Sequence, residues 1–95
     1  MAKTFKGLVE IIESKHEVYR NLPEAHLSSA GLEVRFLYSK LAEELCFTDT
    51  PEGLRKLIAE DSDYSFKSEA AVETFGKVQR YLDAVIAQGG TSDES

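Results

Sequence analysis

Apolar side chains recur at Phe5, Leu8, Val9, Ile11, Ile12, Val18 and Tyr19, the three-and-four spacing of a helix with a wide buried face. This predicts a first helix over residues 4–20 with Thr4 as its N-cap. It should end near Asn21 or Leu22, because Pro23 pushes the residue before it out of the α region. A second helix is predicted from about Ser29 to Phe47 on the stripe Ala30, Val34, Leu37, Leu41 and Leu45, with Ser28 or Ser29 able to cap it. Within that segment Leu32, Val34, Phe36 and Tyr38 also alternate as a strand would, so residues 32–38 admit a short β reading. The helix formers from Lys40 to Leu45, with no turn residue before them, favour one uninterrupted helix.

Thr48-Asp49-Thr50-Pro51-Glu52 joins three helix-start signals: a Thr or Asp cap, proline in the first turn and an acid beside it. A short third helix is therefore predicted from Pro51 to about Glu60, with Leu54, Leu57 and Ile58 forming a narrow stripe that covers the end of a bundle. Asp61 to Phe66 reads as a loop, and Ser65 or Ser68 caps the last helix. There Ala71, Phe75, Val78, Leu82 and Val85 step by four, three, four and three, which suits antiparallel packing at about 20° against the first two helices. Gly89 and Gly90 should stop it. The fold expected is all-α: a small up-and-down helical bundle of three long helices plus one short helix. Residues 1–88 form its single domain, and 89–95 form a disordered acidic C-terminal tail.

Composition then narrows the function classes. With 42% hydrophobic and 29% charged residues the chain lies among those that fold, and at 95 residues it is short enough for oligomerisation to supply part of its stability. Seventeen acidic side chains against 11 basic ones give a net charge of −6, and the Lys and Arg residues are spread along the chain beside acids. That argues against nucleic acid and against an anionic membrane surface, both of which need massed positive charge, and favours a protein partner with a basic surface. Cys46 is alone, so no disulfide forms within the chain and a reducing compartment is expected. Glu10 and Glu13 interrupt what would be a signal peptide, and no apolar run approaches the roughly 18 residues of a membrane span. A cytoplasmic location is the expectation.

Chemistry-bearing patterns are sparse. Glu13 and His16 lie three apart on one helix, as in carboxylate-bridged metal bundles, and define a metal- or ligand-binding alternative. Such a site also needs inward carboxylates from other helices, whereas Glu69 and Glu73 fall off the last stripe and Glu43 and Glu44 flank the second. Asp61-Ser62-Asp63-Tyr64-Ser65 opens like a calcium loop, but the sixth position is Phe66 where glycine makes the turn, and the twelfth is Val72 where a bidentate Glu belongs. It reads better as an acidic loop that folds Tyr64 and Phe66 onto the core. Cys46 would need a nearby base to act as a nucleophile, and its neighbours Glu43 and Glu44 supply no cation; it is expected to pack as a small apolar residue. No catalytic residue and no cofactor is expected.

What remains is surface. Phe36 and Tyr38 stand partly off the second stripe, Tyr81 stands off the last, and Ile11 and Val18 widen the first helix's apolar face beyond one stripe. Unless they only widen the core, these five are the partner-binding candidates. The function expected is a non-enzymatic protein-protein interaction module, that is an adaptor, regulator or assembly factor presenting a helical face. An acidic inhibitor such as an antitoxin or immunity protein, covering a basic partner, is the alternative from the same class, and a homodimer would also hide the surplus apolar surface.

Overall fold

The computed structural model describes residues 3–88 and contains four α-helices: α1 (Phe5–Asn21), α2 (Ser29–Glu44), α3 (Pro51–Glu60) and α4 (Glu69–Ala87). The expected acidic tail lies outside the described residues. The four helices start in the same way. Thr4, Ser28, Thr50 and Ser68 each hold an extended backbone, and each hydroxyl accepts the N–H three residues on, from Gly7, Gly31, Gly53 and Ala71. Each bond satisfies one of the donors that a helix start leaves without a partner, a gain of about 1 kcal/mol relative to alanine at the cap.

α1 ends at Asn21 as Pro23 dictates, and the connection is tightened by a single 3₁₀ turn, Glu24–His26, that the sequence pattern does not announce. Residues 32–38 are helical, which removes the strand reading. The second helix is shorter than its apolar stripe implies: the N–H groups of Cys46 and Phe47 reach back only three residues, to Glu43 and Glu44, in place of four. Such tightening is common at helix ends. It leaves Phe47 74% exposed.

The core is assembled from Leu8 and Ile12 of α1, Leu37 and Leu41 of α2, Leu54 of α3, and Leu82 and Val85 of α4, all essentially fully buried. At about 1.5–3 kcal/mol for each large aliphatic side chain buried, these residues dominate the favourable side of folding. α3 buries Leu54 and Ile58 of the narrow stripe expected of it, with Pro51 in place of Leu57, which is half-buried.

α2 is the central element, with its broadest contacts against α1 on one side and α4 on the other. Glu33, one turn into α2, accepts the N–H groups of Lys67 (3.1 Å) and Ser68 (2.7 Å) at the start of α4, so these two helices begin at the same end of the molecule. α4 therefore runs parallel to α2, and it is antiparallel to α1, whose Gly7 lies against Tyr81 while Lys15 shares a groove with Thr74 and Lys77. The up-and-down order holds, but the expectation that α4 opposes both earlier helices is corrected: in a four-helix alternation the second and fourth helices share a direction. Among the described residues no helix is long and apolar enough to cross a membrane.

Candidate functional site

α1 and α4 touch less than α1 and α2 do, and an open groove of about 330 Å³ lies between them. α1 supplies Leu8, Ile11 and Lys15; α4 supplies Thr74, Lys77, Val78 and Tyr81; Tyr38 reaches in from α2. Three of the five residues singled out from sequence, Ile11, Tyr38 and Tyr81, are thus brought into one depression.

The three play different parts there. Ile11 is 41% exposed on the α1 wall. Tyr38 is a correction to the sequence reading: it is 7% exposed and belongs to the core, stacked on Tyr19 with ring centroids 6.0 Å apart. Burial, with a smaller effect from Tyr19, raises its pKa, so the ring enters the groove as a neutral phenol. The sequence reading fails here because α2 is covered on two sides, so the residue after the Leu37 position is also buried. Tyr81 is half-buried on the α4 wall, and the Lys3 ammonium sits 4.7 Å from its ring centroid. The ring lies across α1 at Gly7, where a Cβ would stand 2.6 Å from the phenol oxygen; glycine is what allows this close approach.

The other two candidates fall at different places. Val18 is 52% exposed; it stands seven residues after Ile11 and so continues the same edge of α1 beyond the groove, followed by the exposed Leu22. Phe36 is 44% exposed on a separate face of α2, where it meets Phe66 edge-on at 6.4 Å. Phe66 in turn packs on Phe75, and Phe75 stacks on Tyr64 at 5.1 Å, so Phe36 ends an aromatic row that seals the loop between α3 and α4. Tyr64 and Phe66 pack on the core as the sequence implies.

That loop also contains a charge cluster. Lys40 binds Asp61 at 2.8 Å and lies 3.6 Å from Asp63, and Asp61 additionally accepts the Asp63 N–H at 2.8 Å. The contact with Lys40 holds the Asp61 carboxyl below its usual range and raises the Lys40 ammonium. Beside them Glu44 is buried, with the Tyr64 hydroxyl donating to it at 3.5 Å; burial first, and Asp61 second, push its pKa up. Asp61 and Asp63, the acids of the would-be calcium loop, are thus committed to a lysine and, for Asp61, to backbone.

Glu13 is exposed and His16 half-exposed, and among the described residues no three His, Cys, Asp or Glu side chains gather so as to hold a metal ion. The expectation that Cys46 packs as an apolar residue is corrected: it is exposed, with its thiol 3.7 Å from the Ala42 carbonyl. A larger cleft of about 550 Å³ separates α3 from α4, with Tyr64 and Phe75 on its walls and the Arg55–Asp83 ion pair joining the two helices there.

Sequence reasoning missed the lysines of the groove. The signal was present, since Ile11, Lys15, Val18 and Leu22 step by four, three and four, a second seam that runs along α1 to its C-cap beside the one that faces the core. It went unread because a lysine interrupts it. Three comparisons, with protein-family models, with curated proteins and with solved structures, find no match to this chain. The class defined by the fold and the site is a small helical bundle with an open, largely apolar groove between its first and last helices.

Proposed function

We propose that this protein is a non-enzymatic interaction module, an adaptor, regulator or assembly factor, and that the α1–α4 groove is the helical face it presents. One observation carries the reading: Ile11 and Tyr81 meet in a groove whose apolar edge continues through the exposed Val18 and Leu22. Apolar side chains clustered at a concave site, with an aromatic wall, are the usual anchor points of protein recognition. The test is crosslinking of the full chain to its partners, compared with an Ile11→Glu, Val18→Glu variant. Both sites are exposed enough for the fold to keep its melting temperature within a few degrees. The variant should lose the partners that the parent captures; unchanged capture at unchanged stability would refute the groove as the binding face.

The acidic-inhibitor reading draws support from a different place. Glu44, Glu60, Asp61 and Asp63 line one shallow depression, which gives part of the net negative charge a location. A partner bound there would be basic, and its release by salt, with the Ile11→Glu, Val18→Glu variant binding normally, would select this reading over the first.

A further inference from the structure

The charge of the α1–α4 groove is opposite to that of the whole chain. Its lining contains Lys15 and Lys77 and no Asp or Glu, and Lys3 stands over Tyr81 at one end. Other depressions among the described residues differ: that between α3 and α4 balances Arg55 and Arg80 with Asp61 and Asp83, and two more carry acids and no bases. Arg35, Lys40 and Arg55 are engaged by Glu24, by Asp61 and Asp63, and by Asp83, whereas among the described residues no carboxylate pairs with Lys15 or Lys77, which share one groove. Two lysines on one groove lining that holds no acid, in a protein with six excess acids, mark where a partner's acids would be accepted.

The shape of the apolar part selects the form of that partner. On α1, Ile11, Lys15 and Val18 step by four and three and extend about 10 Å along the helix at 1.5 Å per residue, and the exposed Leu22 follows at the C-cap. Thr74, Lys77 and Tyr81 on the facing wall follow steps of three and four. Two walls with this repeat receive the ridge of a third helix between them, knobs into holes. A second copy of this chain suits the groove poorly. Pairing two α1 edges about a twofold axis would place each Lys15 within one turn of its counterpart, an uncompensated like-charge contact.

We infer that the α1–α4 groove binds an amphipathic helix of a partner protein, about three turns long, whose apolar ridge is flanked by Glu or Asp that pair with Lys15 and Lys77. The inference rests on the interaction-module reading and adds the partner's form and charge. Two helical peptides with the same leucine ridge, one flanked by glutamates and one by lysines, are titrated into the isotope-labelled full chain. The glutamate peptide should bind at least tenfold more tightly and shift the amides of Ile11, Lys15, Thr74, Lys77 and Tyr81. A Lys15→Glu, Lys77→Glu variant, altered at the solvent side of the groove, should reverse the preference. Equal binding of both peptides at those residues would overturn the acidic-partner inference and leave the interaction module standing. Shifts elsewhere, or none with either peptide, would overturn both. Concentration-dependent dimerisation that competes with the glutamate peptide would also overturn the inference, because the groove would then belong to a second copy.

Discussion

Glu44 is a carboxyl whose ionisation the fold opposes. It is buried beside Asp61, its pKa lies above the usual carboxylate value, and its one neutral donor is the Tyr64 hydroxyl. A carboxyl with a raised folded-state pKa costs stability while ionised, and that cost is relieved as pH falls through the raised value. Glu44→Gln keeps the acceptor for Tyr64 and removes the charge. It should therefore melt higher than the parent at pH 7, and thermal melts over a pH series should show the gap narrowing as Glu44 itself takes a proton. A lower melting temperature at neutral pH would mean that attraction to Lys40 outweighs burial. Tyr38 and Phe36, two positions apart, separate just as clearly. Tyr38→Ala should cost about 3–5 kcal/mol, as truncation of a buried aromatic does, and Phe36→Ala less than about 1.5 kcal/mol, read by denaturant unfolding. Neither consequence could be drawn from the alternating run Leu32 to Tyr38, because alternation and helical spacing both leave open which side of α2 is covered.

At the scale of elements, the helices are legible because each boundary is local. Thr4, Ser28, Thr50 and Ser68 can cap wherever they stand, and Pro23 and Pro51 act through their own φ angle and their neighbour's clash. What joins the elements is less local. Glu33 of α2 closes the start of α4 from 35 residues away, supplying acceptors to Lys67 and Ser68 where the positive end of the helix favours an anion. Those backbone donors hold its carboxyl below the usual range. A lowered pKa contributes stability that is present above the unfolded value and lost as pH falls through the folded one. Glu33→Gln should accordingly lower the melting temperature at pH 7, with the difference from the parent closing at acid pH. Equal sensitivity to acid in parent and variant would show that the contact does not couple α2 to α4. No spacing in the sequence marks Glu33, since an acid on a solvated helix face looks the same whether or not another helix begins beside it.

For the whole molecule, net charge was an incomplete guide. The count of 17 acids to 11 bases is a property of the chain and rightly argues against massed positive charge, but a partner meets a surface patch and not a total. Folding brings Lys15 and Lys77, 62 positions apart, to one groove, while Lys40 is consumed by the loop after α3. The protein thereby presents a basic groove on an acidic body. The sequence by itself determined the helical class, the helix starts and most of the core, because periodicity, caps and proline act within a few residues of where they are written. Only the tertiary structure decided that α4 runs parallel to α2, that Tyr38 is core, and that Ile11 and Tyr81 share one groove with two lysines. Those outcomes depend on which helix faces which, a choice made by the packing of all four stripes at once and not readable from any one of them.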